Sequence, residues 1–312
     1  MVELVSFVEK MTKIFTIIVT YNGMHWINKC LSNIKESSAK SSILIVDNNS
    51  TDGTPQFIKK YYPECIIIQN KINLGFGKGN NLGLRYVIDH NADYVVLLNQ
   101  DVYVNENTFL ELIEVHKKNS QLGIISPLQL NGCGTELDDL FSTYMPSEYN
   151  NSFKANIGGL DLIETDFVNA AIWLLPIEII EKIGGFDPLF SHYGEDKDYC
   201  HRATFYGYKI GITPNSSAIH DRYYDDNNRF RNLENHLFSM GLAHLKNINT
   251  PLLKNYCTWI IQRLIRVIKL SLKGKFTHIK IEILVINKLL SMKSKIKNSR
   301  SMSQYSSTAF IS

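Results

Sequence analysis

The chain reads as an α/β protein with a mostly parallel central sheet covered by helices on both faces. Three observations predict this. Short apolar, β-branched runs alternate with segments of helical spacing through the first hundred residues. Polar clusters rich in Asp, Asn and Gly follow the first four runs, as expected at the carboxyl edge of such a sheet, where ligands bind. Hydrophobic residues make up 44% and charged residues 20% of the 312 positions, enough for one large core with an appendage and too apolar for a disordered chain.

Each element has its own signal. Residues 14–20 are apolar and β-branched and form the first strand. Helical spacing follows over 24–37. A short buried strand occupies 43–46, and 51–61 reads as a helix with Ser50 as its cap. The third strand is 65–68. Helical spacing returns over 77–90, with Leu82, Tyr86 and Val87 at core positions, and 94–98 is the fourth strand. Residues 127–165 are rich in Gly, Asn, Ser and Asp and read as loop and irregular strand. Strand-like sequence resumes over 167–175. Pro176 is placed to open a helix through Ile183, because proline suits a first helical turn. A helix over 196–206 and a strand over 208–212 follow. The turn Asn249-Thr250-Pro251 divides this body, 1–250, from a basic helical tail over 251–298, and a Ser-rich end over 299–312 is expected to be frayed.

Composition excludes several classes. Five scattered cysteines without a CxxC pair argue against a disulfide framework or a zinc cluster and fit a reducing cytoplasm. No apolar run approaches the ~18 residues of a membrane span, and the first residues lack a charged-then-apolar signal pattern. Charge is unevenly spread. Residues 251–300 hold twelve Lys and Arg and one acidic residue, Glu282, leaving 21 basic and 29 acidic residues elsewhere. Nucleic acid suits the tail but not this acidic body.

The polar clusters carry the functional signal. The first strand ends in Val19-Thr20-Tyr21-Asn22-Gly23, and the second in Val46-Asp47-Asn48-Asn49-Ser50-Thr51-Asp52-Gly53. After the third comes Asn73-Leu74-Gly75-Phe76-Gly77-Lys78-Gly79-Asn80-Asn81. The fourth ends in Leu98-Asn99-Gln100-Asp101. Downstream lie Gly184-Gly185-Phe186-Asp187 and His192-Tyr193-Gly194-Glu195-Asp196-Lys197-Asp198-Tyr199. The set, in this order, resembles the family 2 glycosyltransferases of the GT-A fold, particularly rhamnosyltransferase-like bacterial members, over about residues 13–225.

The resemblance implies roles beside the plain chemistry. A carboxylate at Asp47 can accept from the imide N–H of uracil or thymine, and the family sets this aspartate on the donor base with Thr20 and Tyr21 beside it; the plain alternative is a turn residue. The glycine run is not GxGxxG and follows the third strand rather than the first, so a dinucleotide site is disfavoured. It reads as a turn feeding a helix N-terminus, with Lys78 able to approach a phosphate, while Asn73 and Asn81 read as local turn or cap residues, with lining of the nucleotide pocket as the alternative. Asn99-Gln100-Asp101 stands where relatives carry a DxD-type motif for Mg²⁺ or Mn²⁺. Asn99 replaces the first carboxylate and joins the nucleotide-binding residues, leaving Asp101 for the metal and diphosphate. Asp196 of the Glu195-Asp196 pair maps to the general base that deprotonates the acceptor hydroxyl, with Glu195 sharing or orienting. His220 is a second metal or diphosphate residue. His192 and Tyr193 belong to the acceptor side, and Trp173 is a candidate to stack a sugar, unless it is simply buried.

In the tail, Ile260, Ile261, Leu264, Ile265, Val267, Ile268 and Leu272 share one helical face, with Arg263, Arg266, Lys269 and Lys273 opposite. A second such stretch covers 276–290. Basic amphipathic helices of this kind lie on anionic bilayers or pack on a body. The expected function is inverting transfer of a sugar from a UDP- or dTDP-sugar to a hydroxyl of a saccharide acceptor, lipid-linked at the inner leaflet, in surface polysaccharide biosynthesis. Two readings stand against it. A sugar nucleotidyltransferase would need a Gly-rich phosphate loop after the first strand, where Tyr21-Asn22-Gly23 offers none. A non-catalytic membrane-tethered adaptor is favoured by Asn99 and opposed by the intact Glu195-Asp196 pair.

Overall fold

The computed structural model describes residues 12–146, 161–191, 193–222, 233–306 and 309–311. Among them nine strands form one sheet. Strands β1 (Ile14–Thr20), β2 (Ser42–Asp47), β3 (Ile66–Gln69) and β4 (Tyr94–Asn99) run parallel in the order β3-β2-β1-β4. Helices α1 (Ile27–Glu36), α2 (Thr54–Tyr61) and α3 (Phe76–Asp89) are the crossovers that return each strand to the same direction. The later half mixes directions. β8 (Ile172–Pro176) joins β4 antiparallel, and β6 (Leu122–Leu130) follows it. β9 (Lys209–His220) pairs parallel with β6 and antiparallel with the short strands β5 (Val102–Val104) and β7 (Ile163–Thr165). The parallel character expected from sequence therefore holds through β3-β2-β1-β4 and the β6–β9 pair, while the other four pairings are antiparallel.

Alternation along β1 sends neighbouring side chains to two separate cores. Ile17 packs with Leu84 and Val87 of α3 on one face, while Ile18 packs with Ile27 and Leu31 of α1 and Phe109 of α4 (Thr108–Lys118) on the other. The glycine-rich run serves this packing. A Cβ on Gly83 would lie 2.6 Å from Ile17 Cγ2, and one on Gly79 would lie 2.9 Å from Val19 Cγ1, so α3 approaches β1 more closely than alanine would permit.

Several local expectations change. Ser50 does not cap α2; the helix starts after Gly53, whose φ of 91° suits glycine, and Asp52 accepts from Thr54 N at 3.0 Å. Leu82 is 38% exposed, and Leu84 takes the core position instead. The weakly periodic stretch 127–165 holds the end of β6, then α5 (Asp139–Ser142), capped by Asp138 accepting from Leu140 N and Phe141 N, and then β7. Its residues 147–160 lie outside the described ones.

After α6 (Ile177–Ile183) and α7 (Glu195–Phe205), the chain ends in four helices: α8 (Leu233–Lys246), α9 (Leu252–Leu272), α10 (Phe276–Ser291) and α11 (Lys293–Tyr305). Leu242, Trp259, Val285, Leu289 and Ile296 give them one core, so the boundary near 250 falls inside a helical unit to which α8 already belongs. The described residues of the end expected to fray are helical through Tyr305 and held at 309–311. Ser299 and Arg300 of α11 are buried, and Ser299 and Lys246 both donate to the buried Asp187 carboxylate. Gly185 N donates to Ala309 O at 2.8 Å, and Asn81 Nδ2 to Phe310 O at 2.8 Å. A polar, Ser-rich sequence stays ordered because the body offers it buried partners.

Of the two arrangements expected for the amphipathic tail, the apolar side of α9 does not pack on the body. Arg263 and Arg266 of α9 turn inward to the buried Glu282, at 3.4 and 2.5 Å. The apolar side is outward, with Ile268 60% exposed, Leu272 85% and Phe276 67%. No described helix is long and apolar enough to cross a membrane.

Candidate active site

Strand register brings the motifs together. Thr20 lies opposite Asp47 across β1 and β2, and Val19 opposite Asn99 across β1 and β4, so three polar strand ends share one edge. Asp47 organises that edge. Its carboxylate accepts from Thr20 Oγ1 at 2.9 Å, from Ser50 Oγ at 2.6 Å and from Ser50 N at 3.0 Å. The turn role weighed for Asp47 is thus the one seen, and the buried carboxylate keeps one lone pair on Oδ2 for a further donor. Asn48 donates to Gly75 O at 3.1 Å, which sets the α3 N-terminus and the exposed Lys78 beside this turn.

The β1 turn is clamped from both sides. Gln100 accepts from Tyr21 N at 3.0 Å and donates to Tyr21 O at 3.2 Å. Asn22 accepts from Thr51 N at 2.9 Å, and Asp52 from Met24 N at 2.9 Å, which helps hold the Asp52 carboxyl below its usual range against its own burial. Gly23 leaves room for this clamp, because a Cβ would stand 2.3 Å from Gln100 Oε1 and push that side chain aside. Sequence reading gave Gln100 and Asp52 no role; their polar type at strand ends was the only signal. Asn73 is the expected local turn residue, accepting from Gly75 N. Asn81 instead reaches across the molecule, donating to Phe186 O and accepting from Phe186 N.

Pairing of β5 with β9 carries His220 to Asp101. The Nε2–Oδ1 separation is 3.6 Å, too long for a hydrogen bond, and His220 Nδ1 is buried without a partner. Tyr103 donates to Asp221 Oδ2 at 2.9 Å and holds the residue after His220. The Asp101 carboxylate and the His220 Nε2 that faces it, close but not hydrogen-bonded to each other, fit a divalent cation that takes its other ligands from diphosphate and water. Among the described residues no three His, Cys, Asp or Glu side chains converge, so the pair fits a shared ion and not a cage built by protein alone.

The Glu195-Asp196 pair opens α7 after Gly194, which has φ 89°. Asp196 is half-buried and accepts from the N–H groups of Lys197, at 2.8 Å, and Ala170. The next residue, Ala171, accepts from Asn99 N at 2.8 Å. Two consecutive residues therefore link the β4 strand end to the carboxylate pair. Burial pushes Asp196 up to about 6, against those backbone donors. Burial and then the Asp196 charge push Glu195 up to about 7, and Glu195 Oε2 has no partner. Asp198 points away, as its position two residues on requires, and pairs with Arg202 at 3.0 Å and Lys246 at 3.3 Å inside the protein.

The acceptor-side candidates divide. Tyr193 is 60% exposed beside Glu195, and His192 lies outside the described residues. Trp173 is fully buried, near-parallel to Phe186 with ring centroids 6.2 Å apart and tilted against Tyr199 at 5.8 Å, so the sugar-stacking expectation for it fails. As a β8 residue in the middle of the sheet, it has no face open to a ligand. Tyr144, unremarked in sequence, stands near enough to Asp196 for that charge to help raise its phenol, after burial.

Comparison with known proteins agrees with this arrangement. The model of "Glycosyl transferase family 2" matches residues 16–184. The low-salt glycan biosynthesis hexosyltransferase Agl10 of Haloferax volcanii is 26% identical over 271 residues, covering 80% of this chain and 83% of its own. The N-acetylglucosaminyl-diphospho-decaprenol L-rhamnosyltransferase of Mycobacterium tuberculosis is 22% identical, covering 68% and 77%. Among solved structures, the mannosyltransferase PcManGT of Pyrobaculum calidifontis, in complex with GDP-Man and Mn²⁺, superposes with TM-score 0.56 at 15% identity. It covers 96% of this chain and 84% of its own, a likeness of fold. With the sheet, the clustered strand ends and the paired carboxylates in place, the chain belongs to glycosyl transferase family 2 and has the GT-A fold.

Proposed function

We propose that this glycosyltransferase is inverting and metal-assisted, and moves a sugar from a UDP- or dTDP-sugar to a hydroxyl of a lipid-linked saccharide at the inner face of the membrane. One observation carries the reading. Thr20 and Asp47 share one strand edge with Asn99, His220 lies 3.6 Å from Asp101 just beyond it, and Ala170 and Ala171 link Asp196 to Asn99 at that edge, which supports reading them as base, cation and proton-acceptor positions. Asp47 takes the imide N–H of the base, and Lys78 at the α3 N-terminus meets phosphate charge. Asp101 and His220 would hold Mg²⁺ or Mn²⁺, which would supply positive charge beside the diphosphate. Asp196 accepts the acceptor's hydroxyl proton as that oxygen bonds to the anomeric carbon. The bond from that carbon to the diphosphate oxygen breaks on the opposite side, so configuration inverts. A carboxylate raised to about 6 is ionised at neutral pH and more basic than a free aspartate.

The membrane part of the reading rests on the outward apolar side of α9 and α10. Ile261, Leu264, Ile265, Ile268, Leu272 and Phe276 are exposed, and Lys269, Lys273, Lys275 and Lys280 flank them. Each lysine near an anionic surface contributes about 1 kcal/mol. The test is acceptor-stimulated release of nucleoside diphosphate, with the anomeric configuration of the product read by NMR. Inversion, and a loss of turnover of roughly 10²–10⁴-fold in Asp196→Asn, is expected for a general base. Retained configuration, or full activity in Asp196→Asn, refutes the proposal.

A further inference from the structure

A cavity of about 340 Å³ lies between α7, α8 and α9, apart from the strand-end site, and is lined in part by Lys197, His201, His244, Trp259, Gln262 and Arg263. Its chemistry is cationic and under-satisfied. Among the described residues Lys197 has no ion-pair partner, and its ammonium lies 5.8 Å from the Phe167 ring centroid. Arg263 shares the single buried carboxylate of Glu282 with Arg266, so the pair of arginines is only half neutralised. His201 Nδ1 and Arg263 Nε are buried without partners, while His244 Nε2 is engaged with Thr258 Oγ1 at 3.0 Å. Unpartnered buried nitrogens beside excess positive charge are costly unless an anion completes them.

The position of the cavity is as telling as its charge. Lys197 follows the proton acceptor Asp196 directly in α7. Arg263 sits on α9 next to the outward residues Ile261, Leu264 and Ile265. The cavity therefore adjoins both the helix that presents the base and the helix with the unpartnered apolar face. We propose that it is a phosphoanion site, taking the diphosphate of a polyprenyl-linked acceptor while the lipid lies along the apolar side of α9. This rests on the transferase reading above, and the relative whose name specifies a diphospho-decaprenol acceptor shows that such chemistry occurs at this level of similarity.

The titration of the cavity supplies a readout independent of turnover. Burial, then Lys197 and His244, push His201 down to about 4; burial, with Lys197 and Arg263, also pushes His244 down, against a hydrogen bond to the Asn255 backbone. Asp196 on α7, Arg266 on α9 and Glu282 on α10 are the other nearby charges. An anion bound among Lys197, His201 and Arg263 reverses the local field and raises His201.

The experiment titrates the full chain, carrying Asp101→Ala and held in EDTA to silence the donor diphosphate site, with inorganic pyrophosphate while histidine signals are followed by NMR. Saturable binding that raises the His201 pKa by about a unit or more is expected. Lys197→Gln and Arg263→Gln should each weaken it roughly tenfold or more, the usual worth of a charge-assisted contact. Lys197 is half-exposed and unpaired, so its variant keeps the fold even if Arg263→Gln disturbs Glu282. A second arm compares phosphatidylcholine vesicles carrying farnesyl diphosphate with vesicles carrying phosphatidylglycerol. Binding that prefers the diphosphate and weakens in Lys197→Gln supports the proposal; equal loss on both vesicles overturns its assignment to an acceptor diphosphate. No movement of His201 with pyrophosphate, or unchanged affinity in Lys197→Gln, overturns the site itself. UDP and dTDP binding with Mn²⁺ to the chain bearing Asp101 is measured alongside, so a failed donor site is told apart from a failed anion site.

Discussion

Replacing Glu195 with glutamine should stabilise the protein above neutral pH and leave it almost unchanged in mild acid. Glu195 is buried, and its carboxyl is pushed from 4.5 to about 7, first by burial and then by the Asp196 charge. Each unit of such a shift corresponds to about 1.4 kcal/mol, so ionising Glu195 inside the fold costs about 3 kcal/mol. The sign follows from proton binding. Between about 4.5 and 7 the native state holds a proton that the unfolded chain has lost, so stability falls as pH rises through that window. Below it both states are protonated and the cost vanishes; above it the full cost is present. Glutamine is neutral throughout and fills nearly the same space beside Gly77. Glu195→Gln should therefore gain about 3 kcal/mol at pH 8, or roughly 6 °C in Tm for a chain of this size, and less than about 0.5 kcal/mol at pH 4.5. Differential scanning calorimetry of both proteins at the two pH values reads this directly. An equal difference at both pH values, or a variant less stable than wild type at pH 8, refutes the assignment of a burial-strained carboxyl to Glu195.

Two further outcomes follow from the packing. Gly83→Val should destabilise by about 2–3 kcal/mol in denaturant melts, because its Cβ must stand where Ile17 Cγ2 already is, and Ile17→Ala should return part of that loss in a double-mutant cycle. Additive losses would show that α3 does not lie against β1 at this point. Ile268→Ser combined with Leu272→Ser should weaken association with anionic vesicles more than a hundredfold, since each lost apolar side chain forfeits roughly 1.5 kcal/mol of burial, while leaving Tm nearly unchanged because both are exposed. Unaltered flotation with the vesicles would remove α9 from any membrane contact.

Much of the site was legible because strand ends carry their chemistry in contiguous runs. Thr20, Asp47 and Asn99 each close an apolar strand, and a parallel sheet aligns such ends automatically. Asp101 and His220 are 119 positions apart, and only β5–β9 pairing, with β5 three residues long, brings them together. Other features depend on contacts that no local pattern encodes. The Gly75, Gly77 and Gly79 run reads in sequence as a turn feeding a helix N-terminus, and no local pattern shows that Gly79, with Gly83 beyond it, also lets α3 approach β1 closely. Trp173 carries the same signal whether it stacks a sugar or fills a core, and position in the middle of the sheet decides for the core. The C-terminal segment reads as frayed because it is polar, yet Asp187 and Lys246 offer it buried partners far away in the chain. The amphipathic pattern of α9 was plain, but its direction was not. One buried acid, Glu282, draws the arginines inward and leaves the apolar side outward.

On the proposed function, Asp101 and His220 help to hold a nucleoside diphosphate through a divalent cation, at the edge that Asp47 organises. Calorimetric titration of UDP, dTDP and, as a control base, GDP, with and without Mn²⁺, tests it most directly, on wild type and on Asp101→Ala. Binding of UDP or dTDP that requires Mn²⁺ and is lost in Asp101→Ala is the predicted result. Binding that ignores both Mn²⁺ and Asp101→Ala, or no binding of any of the three nucleotides, would contradict it.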